Sequence, residues 1–130
     1  PVEFAEEASR LDRIAREFRL PSQVVVLTFE DTEHAASQRR LAERRARSPD
    51  VVWPYALEDG RERLVTLMPL VGRTAVDGYL HSLATYVAER QGLAPHQADL
   101  ATLGIQYRVM TLGQAPLAPA LVGVLGGTSA

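Results

Sequence analysis

Residues 23 to 29, Gln-Val-Val-Val-Leu-Thr-Phe, constrain the fold more than any other stretch of the chain. Three valines in a row disfavour a helix, because each β-branched side chain loses rotamer freedom against the preceding turn. The run has the length and composition of a buried strand. A sheet has to be built around it, and the flanking patterns supply the rest.

Upstream, Phe4, Ala8, Leu11, Ile14, Ala15 and Phe18 recur at helical spacing with acids and arginines between them. This predicts an amphipathic helix over residues 3–19, ended by Pro21 and Ser22. Downstream, Asp31 or Thr32 offers an N-cap for a helix running to about Arg45, and Pro49 breaks it. Val51, Val52 and Trp53, extending to Tyr55, form a second strand. Glu58, Asp59 and Gly60 supply turn chemistry, and Arg63 to Leu70 form a third strand that pairs with the second as a hairpin. Residues 73–90 are helical, with Val76, Leu80, Leu83 and Val87 as the buried stripe and Gly92 as the stop. Residues 94–103 read as a loop or short helix, and Ile105 to Thr111 alternate as a fourth strand.

In order, this is a leading helix followed by β-α-β-β-α-β. It predicts an α+β, ferredoxin-like domain over residues 1–112, an antiparallel sheet with two helices on one face. Residues 113–130 form a Pro/Gly-rich tail in which Ala120 to Leu125 can add an edge element. With 130 residues, 46% hydrophobic and 23% charged, the chain suits one globular domain. No apolar run approaches the roughly 18 residues of a membrane span. The chain begins at Pro1 without a Met or a signal-like segment, so it is expected to be part of something longer.

The chemical inventory excludes a good deal. There is no cysteine, so disulfides, thiolate zinc sites and cysteine nucleophiles are ruled out. All 14 basic residues are arginine, which removes a Schiff-base, P-loop or kinase-type lysine. His34, His81 and His96 lack metal-ligand spacing. A net charge of −2 argues against a nucleic-acid polymer as partner. Glu30, Asp31 and Glu33 cluster after the first strand, where capping accounts for them as well as a metal would, so no metal site is expected. Glu58, Asp59 and Glu62 are expected as exposed turn residues.

Charge distribution says more than the sum. Residues 39–47 hold Arg39, Arg40, Arg44, Arg45 and Arg47 against Glu43 alone, either a solvated helix face or a local anion site. At the end of this run stands Arg47-Ser48-Pro49-Asp50, on a helix-to-strand turn stiffened by Pro49. A rigid turn presenting one Arg and one Asp suits guanine. The guanidinium donates to O6 and N7, and the carboxylate accepts from the N1 and N2 donors.

The order of elements and the Arg47–Asp50 turn, followed by a strand, a turn and Arg63 to Leu70, resemble a GGDEF (diguanylate cyclase) domain over roughly residues 3–112. In that family an RxxD inhibitory site for cyclic di-GMP precedes the signature hairpin. The match is incomplete in a telling way. Where active cyclases carry GG(D/E)EF, this chain has Ala56 to Glu62 without paired glycines. At the end of the first strand it has Thr28-Phe29-Glu30 in place of the metal-binding Asp. Two-metal chemistry needs fixed carboxylates and a phosphate cradle. The resemblance is therefore to degenerate GGDEF receptors, above all the PelD type.

That resemblance implies a non-catalytic cyclic di-GMP receptor regulating exopolysaccharide secretion. It implies Arg47 and Asp50 as ligand contacts, cyclic di-GMP as ligand with no cofactor, and polysaccharide-export proteins as partners. It also implies a place at the cytoplasmic face of the inner membrane, within a larger membrane-anchored protein. Family receptors recruit a further Arg from the helix after the third strand, where this chain has His81 and Ser82. Arg73, three residues past Leu70, is the expected substitute. The rival reading is a ferredoxin-like interaction or dimerisation module with no nucleotide. Incubation with GTP and magnesium or manganese is expected to leave GTP intact, and cyclic di-GMP above a no-protein control would contradict this.

Overall fold

The computed structural model describes residues 2–46 and 49–114. Helix α1 (Val2–Phe18) leads into strand β1 (Gln23–Phe29), followed by α2 (Ala35–Arg45), β2 (Val51–Ala56), β3 (Glu62–Met68) and α3 (Arg73–Arg90). A 3-10 turn (Pro95–Gln97), the short α4 (Leu100–Leu103) and β4 (Ile105–Thr111) complete it. The strands form one antiparallel sheet in the order β2-β3-β1-β4, the α+β βαββαβ arrangement expected. The edge element expected at Ala120–Leu125 lies outside the described residues.

Every residue of β1 is buried. It pairs with β3 from Gln23 opposite Met68 to Phe29 opposite Glu62, and with β4 from Gln23 opposite Thr111 to Phe29 opposite Ile105. Side chains alternate across a strand, so two cores form. Val25, Leu27 and Phe29 join Leu64 and Met68 under α2 and α3, which contribute Leu41, Val76, Leu80, Leu83 and Val87. Val24 and Val26 join Val65 and Leu67 on the other face, against Phe4, Ala8 and Leu11 of α1.

The ends of the elements differ from the expected ones for identifiable reasons. Helix α2 starts at Ala35 rather than just after Asp31, because residues 31–34 form a turn. The Asp31 carbonyl accepts from the His34 N–H at 2.9 Å, and the Asp31 carboxylate is engaged by His34 Nδ1 at 2.8 Å. Strand β3 stops at Met68, since Pro69 has no N–H to donate. Leu70 then takes a left-handed φ of 55°, held by its N–H donating to Ser22 Oγ at 2.8 Å. Gln23 Nε2 donates to the Val71 carbonyl at 3.2 Å, which fixes the start of α3. Phe18, expected on the buried stripe of α1, is 65% exposed. The contact of α1 with the sheet ends at Ile14, and the chain turns off at Arg19 with φ 56°. No described helix is long and apolar enough to cross a membrane.

The last turn after β4 is locked to α1. Asp12, buried, accepts from the Gly113 N–H at 3.0 Å and from Arg16 Nε at 2.9 Å. Gly113 has φ +93°, and a Cβ there would lie 2.7 Å from that of Ala15. Gly113→Ala is therefore expected to destabilise the domain by about 1–3 kcal/mol. Denaturant unfolding checks this, and an unchanged midpoint would contradict the packing described.

Candidate functional site

Alternation along β2 decides what its first residues face. Val51, Trp53 and Tyr55 pack on the α1 side of the sheet, and Val52 on the side of α2 and α3. Asp50 shares the parity of Val52, so it is directed toward α3. On that side Tyr79 lies against Thr66, and the charges of Asp50 and Arg45 both act on its phenol. Burial pushes the Tyr79 phenol up; the Asp50 charge acts in the same direction and Arg45 against it. Burial likewise pushes the Asp50 carboxyl above its ordinary value. Arg47 and Ser48, the other half of the turn, lie outside the described residues.

The arginine run of α2 is divided among different partners. Arg39 donates to Glu62 Oε1 at 2.6 Å and pairs with Glu43, so it belongs to the structure of the hairpin. Glu62, expected as an exposed turn residue, is thereby half-buried on β3. Arg40 and Arg44 are exposed. Arg45 reaches across to α3, donating to the Ser82 hydroxyl. Its guanidinium carbon lies 5.1 Å from the centroid of Tyr86, and that of Arg90 lies 5.0 Å from the same centroid. A cation over an aromatic ring contributes about 0.5–1 kcal/mol at an exposed site.

Tyr79, Ser82, Tyr86 and Arg90 follow one another at intervals of three, four and four, so they form a single stripe of α3 facing the end of α2. The sequence reading singled out the apolar stripe of that helix and missed this one. The signal was there in the same spacing, carried by two tyrosines. Arg73 is exposed at the start of α3, with Asp77 as its ion-pair partner at 3.8 Å. It sits about 120° round the helix from Tyr79. The charges of Asp50 and Arg45 both act on Tyr79, and Arg73 shares none of the described contacts of Arg45. His81 lines the opposite flank of α3, beside Asp77, Ala98 and Tyr107.

At the far end of the sheet, the hairpin tip is closed on itself. Leu57 N–H donates to the Arg61 carbonyl at 2.8 Å, and Arg61 Nε to Asp59 Oδ2 at 2.8 Å. The Arg61 backbone N–H, with the Arg61 side chain adding to it, holds the Asp59 carboxyl below the usual range. Asp31, Glu33 and His34 offer ligand atoms within 4.8 Å of one another, all exposed. The Asp31–His34 hydrogen bond accounts for their grouping.

A sequence profile of the PelD GGDEF domain matches residues 1–126. The chain belongs to that family. Among solved structures it is similar to PelD residues 158 to the C-terminus from Pseudomonas aeruginosa PAO1, with 25% identity and a TM-score of 0.80 over 95% of this chain. PelD 156–455 from strain PA14 in complex with c-di-GMP is 28% identical, with a TM-score of 0.80 over 97% of this chain. The PAO1 protein in complex with c-di-GMP is 27% identical, again at 0.80. This PelD-like domain spans 43% and 44% of the first two of those chains. No curated protein matches.

The raised Asp50 carboxyl has a consequence for stability. A carboxyl whose folded value lies above its unfolded one binds more protons in the folded state, so stability falls as pH rises through that interval. Asp50→Asn removes this cost and is expected to raise the melting temperature of the ligand-free domain at pH 7. The gain should shrink as the pH drops through the ordinary carboxylate range. Melting curves at several pH values check it, and a gain that persists unchanged in acid would contradict the assignment.

Proposed function

We propose that this PelD GGDEF domain is a non-catalytic receptor for cyclic di-GMP, with Arg47 and Asp50 as its primary contacts. The observation that carries the reading is the placement of Asp50. A carboxylate half-withdrawn from water at a strand start, directed at an aromatic helix face, is an acceptor waiting for N–H donors. The N1 and N2 groups of guanine supply two in one plane. Arg47, three residues earlier, supplies the fork for O6 and N7. The c-di-GMP complexes of the related PelD proteins support this ligand.

Support for the absence of cyclase chemistry comes from the hairpin. Its tip spends Asp59 on Arg61, and Glu62 is held by Arg39. The paired glycines that would let a triphosphate approach the backbone are absent from Ala56 to Glu62. In the wider reading the domain acts at the cytoplasmic face of the inner membrane, inside a larger protein, and passes its ligand state to polysaccharide-export partners.

Arg73 enters this reading as a second arm. To reach a ligand at the turn it must leave Asp77, and an exposed pair of that kind holds it by no more than about 1 kcal/mol.

Arg47→Ala and Asp50→Ala are each expected to weaken cyclic di-GMP binding at least tenfold, since losing one partner of a desolvated charged pair commonly costs about 2–5 kcal/mol. Calorimetric titration checks this, and wild-type affinity in both variants would overturn the assignment. In the same series Arg73→Ala belongs to the site only if it weakens binding more than Arg13→Ala, on the opposite face of the sheet.

A further inference from the structure

We propose that Arg45 and Arg90, gathered on the ring of Tyr86, form an anion subsite that holds a phosphodiester group of the nucleotide whose base is read by the 47–50 turn. The inference rests on that reading of the turn and assigns it residues from two helices that the RxxD spacing does not contain.

The first argument is charge. Both guanidinium carbons lie close to one centroid, at 5.1 and 5.0 Å, so they are at most about 10 Å apart, one Debye length at 0.1 M salt. They therefore feel each other. Among the described residues, no carboxylate oxygen comes within 4.0 Å of either. Arg39, six residues before Arg45, has Glu43 and Glu62. The two helix C-termini that carry Arg45 and Arg90 offset part of the positive charge. Each macrodipole end amounts to about half a charge against a full one, so a net positive field remains.

The second argument is preparation. Tyr86 holds a planar guanidinium in a fixed orientation, which lowers the ordering cost of binding. Among the described residues, the hydrogen-bond partner of Arg45 is a neutral hydroxyl, that of Ser82. A phosphate oxygen can replace that hydroxyl without leaving any buried charge unpaired. Each guanidinium can present two parallel N–H donors to the charged oxygens of a phosphodiester.

The third argument is adjacency. Arg45 ends α2 five residues before Asp50, which leads into β2, so this arginine of the pair lies close along the chain to the carboxylate proposed to read the base, and both charges act on Tyr79. The acceptor for base N–H groups and one donor for phosphate are thus carried by the same corner of the fold.

The test titrates the wild type, Arg45→Gln, Arg90→Gln, Arg13→Gln and Asp50→Ala with cyclic di-GMP at several salt concentrations, and with inorganic pyrophosphate. Loss of a charged hydrogen bond predicts about tenfold weaker cyclic di-GMP binding for Arg45→Gln and for Arg90→Gln. It also predicts a shallower dependence on salt than in the wild type or Arg13→Gln. Arg90 is exposed, so its variant keeps the test valid if Arg45→Gln melts early. Wild-type affinity and salt dependence in both variants, with binding lost in Asp50→Ala, overturns the subsite and leaves the turn standing. If the wild type ignores cyclic di-GMP yet binds pyrophosphate through Arg90, the subsite stands and the turn reading falls. If it binds neither, both fall.

Discussion

Strand β1 is covered on both faces and paired along both edges, and the positions of all functional groups follow from that burial. A strand apolar on both sides needs a layer on each, supplied here by α1 on one face and by α2 with α3 on the other. With β3 and β4 taking the flanks of β1, β2 is left at the margin of the sheet. Asp50, which leads into β2, is consequently held at the rim of the sheet. The pins at Ser22 and Gln23, which fix Leu70 and Val71, set where α3 begins and therefore which of its residues reach that rim.

At the rim, stability and function pull in opposite directions. Asp50 is drawn partly out of water, and the phenol of the partly buried Tyr79 is pushed up for the same reason. Such an arrangement costs the ligand-free protein something, and the proposed ligand would return the lost hydrogen bonds. The arginine run serves several ends at once. Arg39 fastens the hairpin, while Arg45 joins Arg90 on Tyr86. A net charge summed over residues 39–47 hides this division.

Much of the fold was legible in the sequence because its signals are local. Three valines in succession mark β1, Leu80 and Leu83 lie within the apolar stripe of α3, and alternation from Ile105 marks β4. All three stand where the patterns put them. The failures are tertiary. Phe18 has the right period but lies beyond the reach of the sheet, and Asp31 engages His34 instead of capping α2 directly. In the site, the direction of Asp50 follows from strand parity once β2 is placed. The association of Arg45 with Ser82, Tyr86 and Arg90 depends on how two helices sit side by side, which no spacing within one helix encodes. Arg73 was inferred from chain proximity to Leu70, and its ion pair with Asp77 is a matter of helix rotation.

The central claim is that the rim between α2, β2 and α3 is a guanine-nucleotide site retained in a domain without cyclase chemistry. Its most direct test is a calorimetric titration of the wild-type domain with cyclic di-GMP, run beside one with GTP and magnesium. Saturable heat with cyclic di-GMP, and no turnover of GTP, is the predicted result. No heat with cyclic di-GMP at millimolar ligand would contradict the account and leave an interaction module as the reading of this fold.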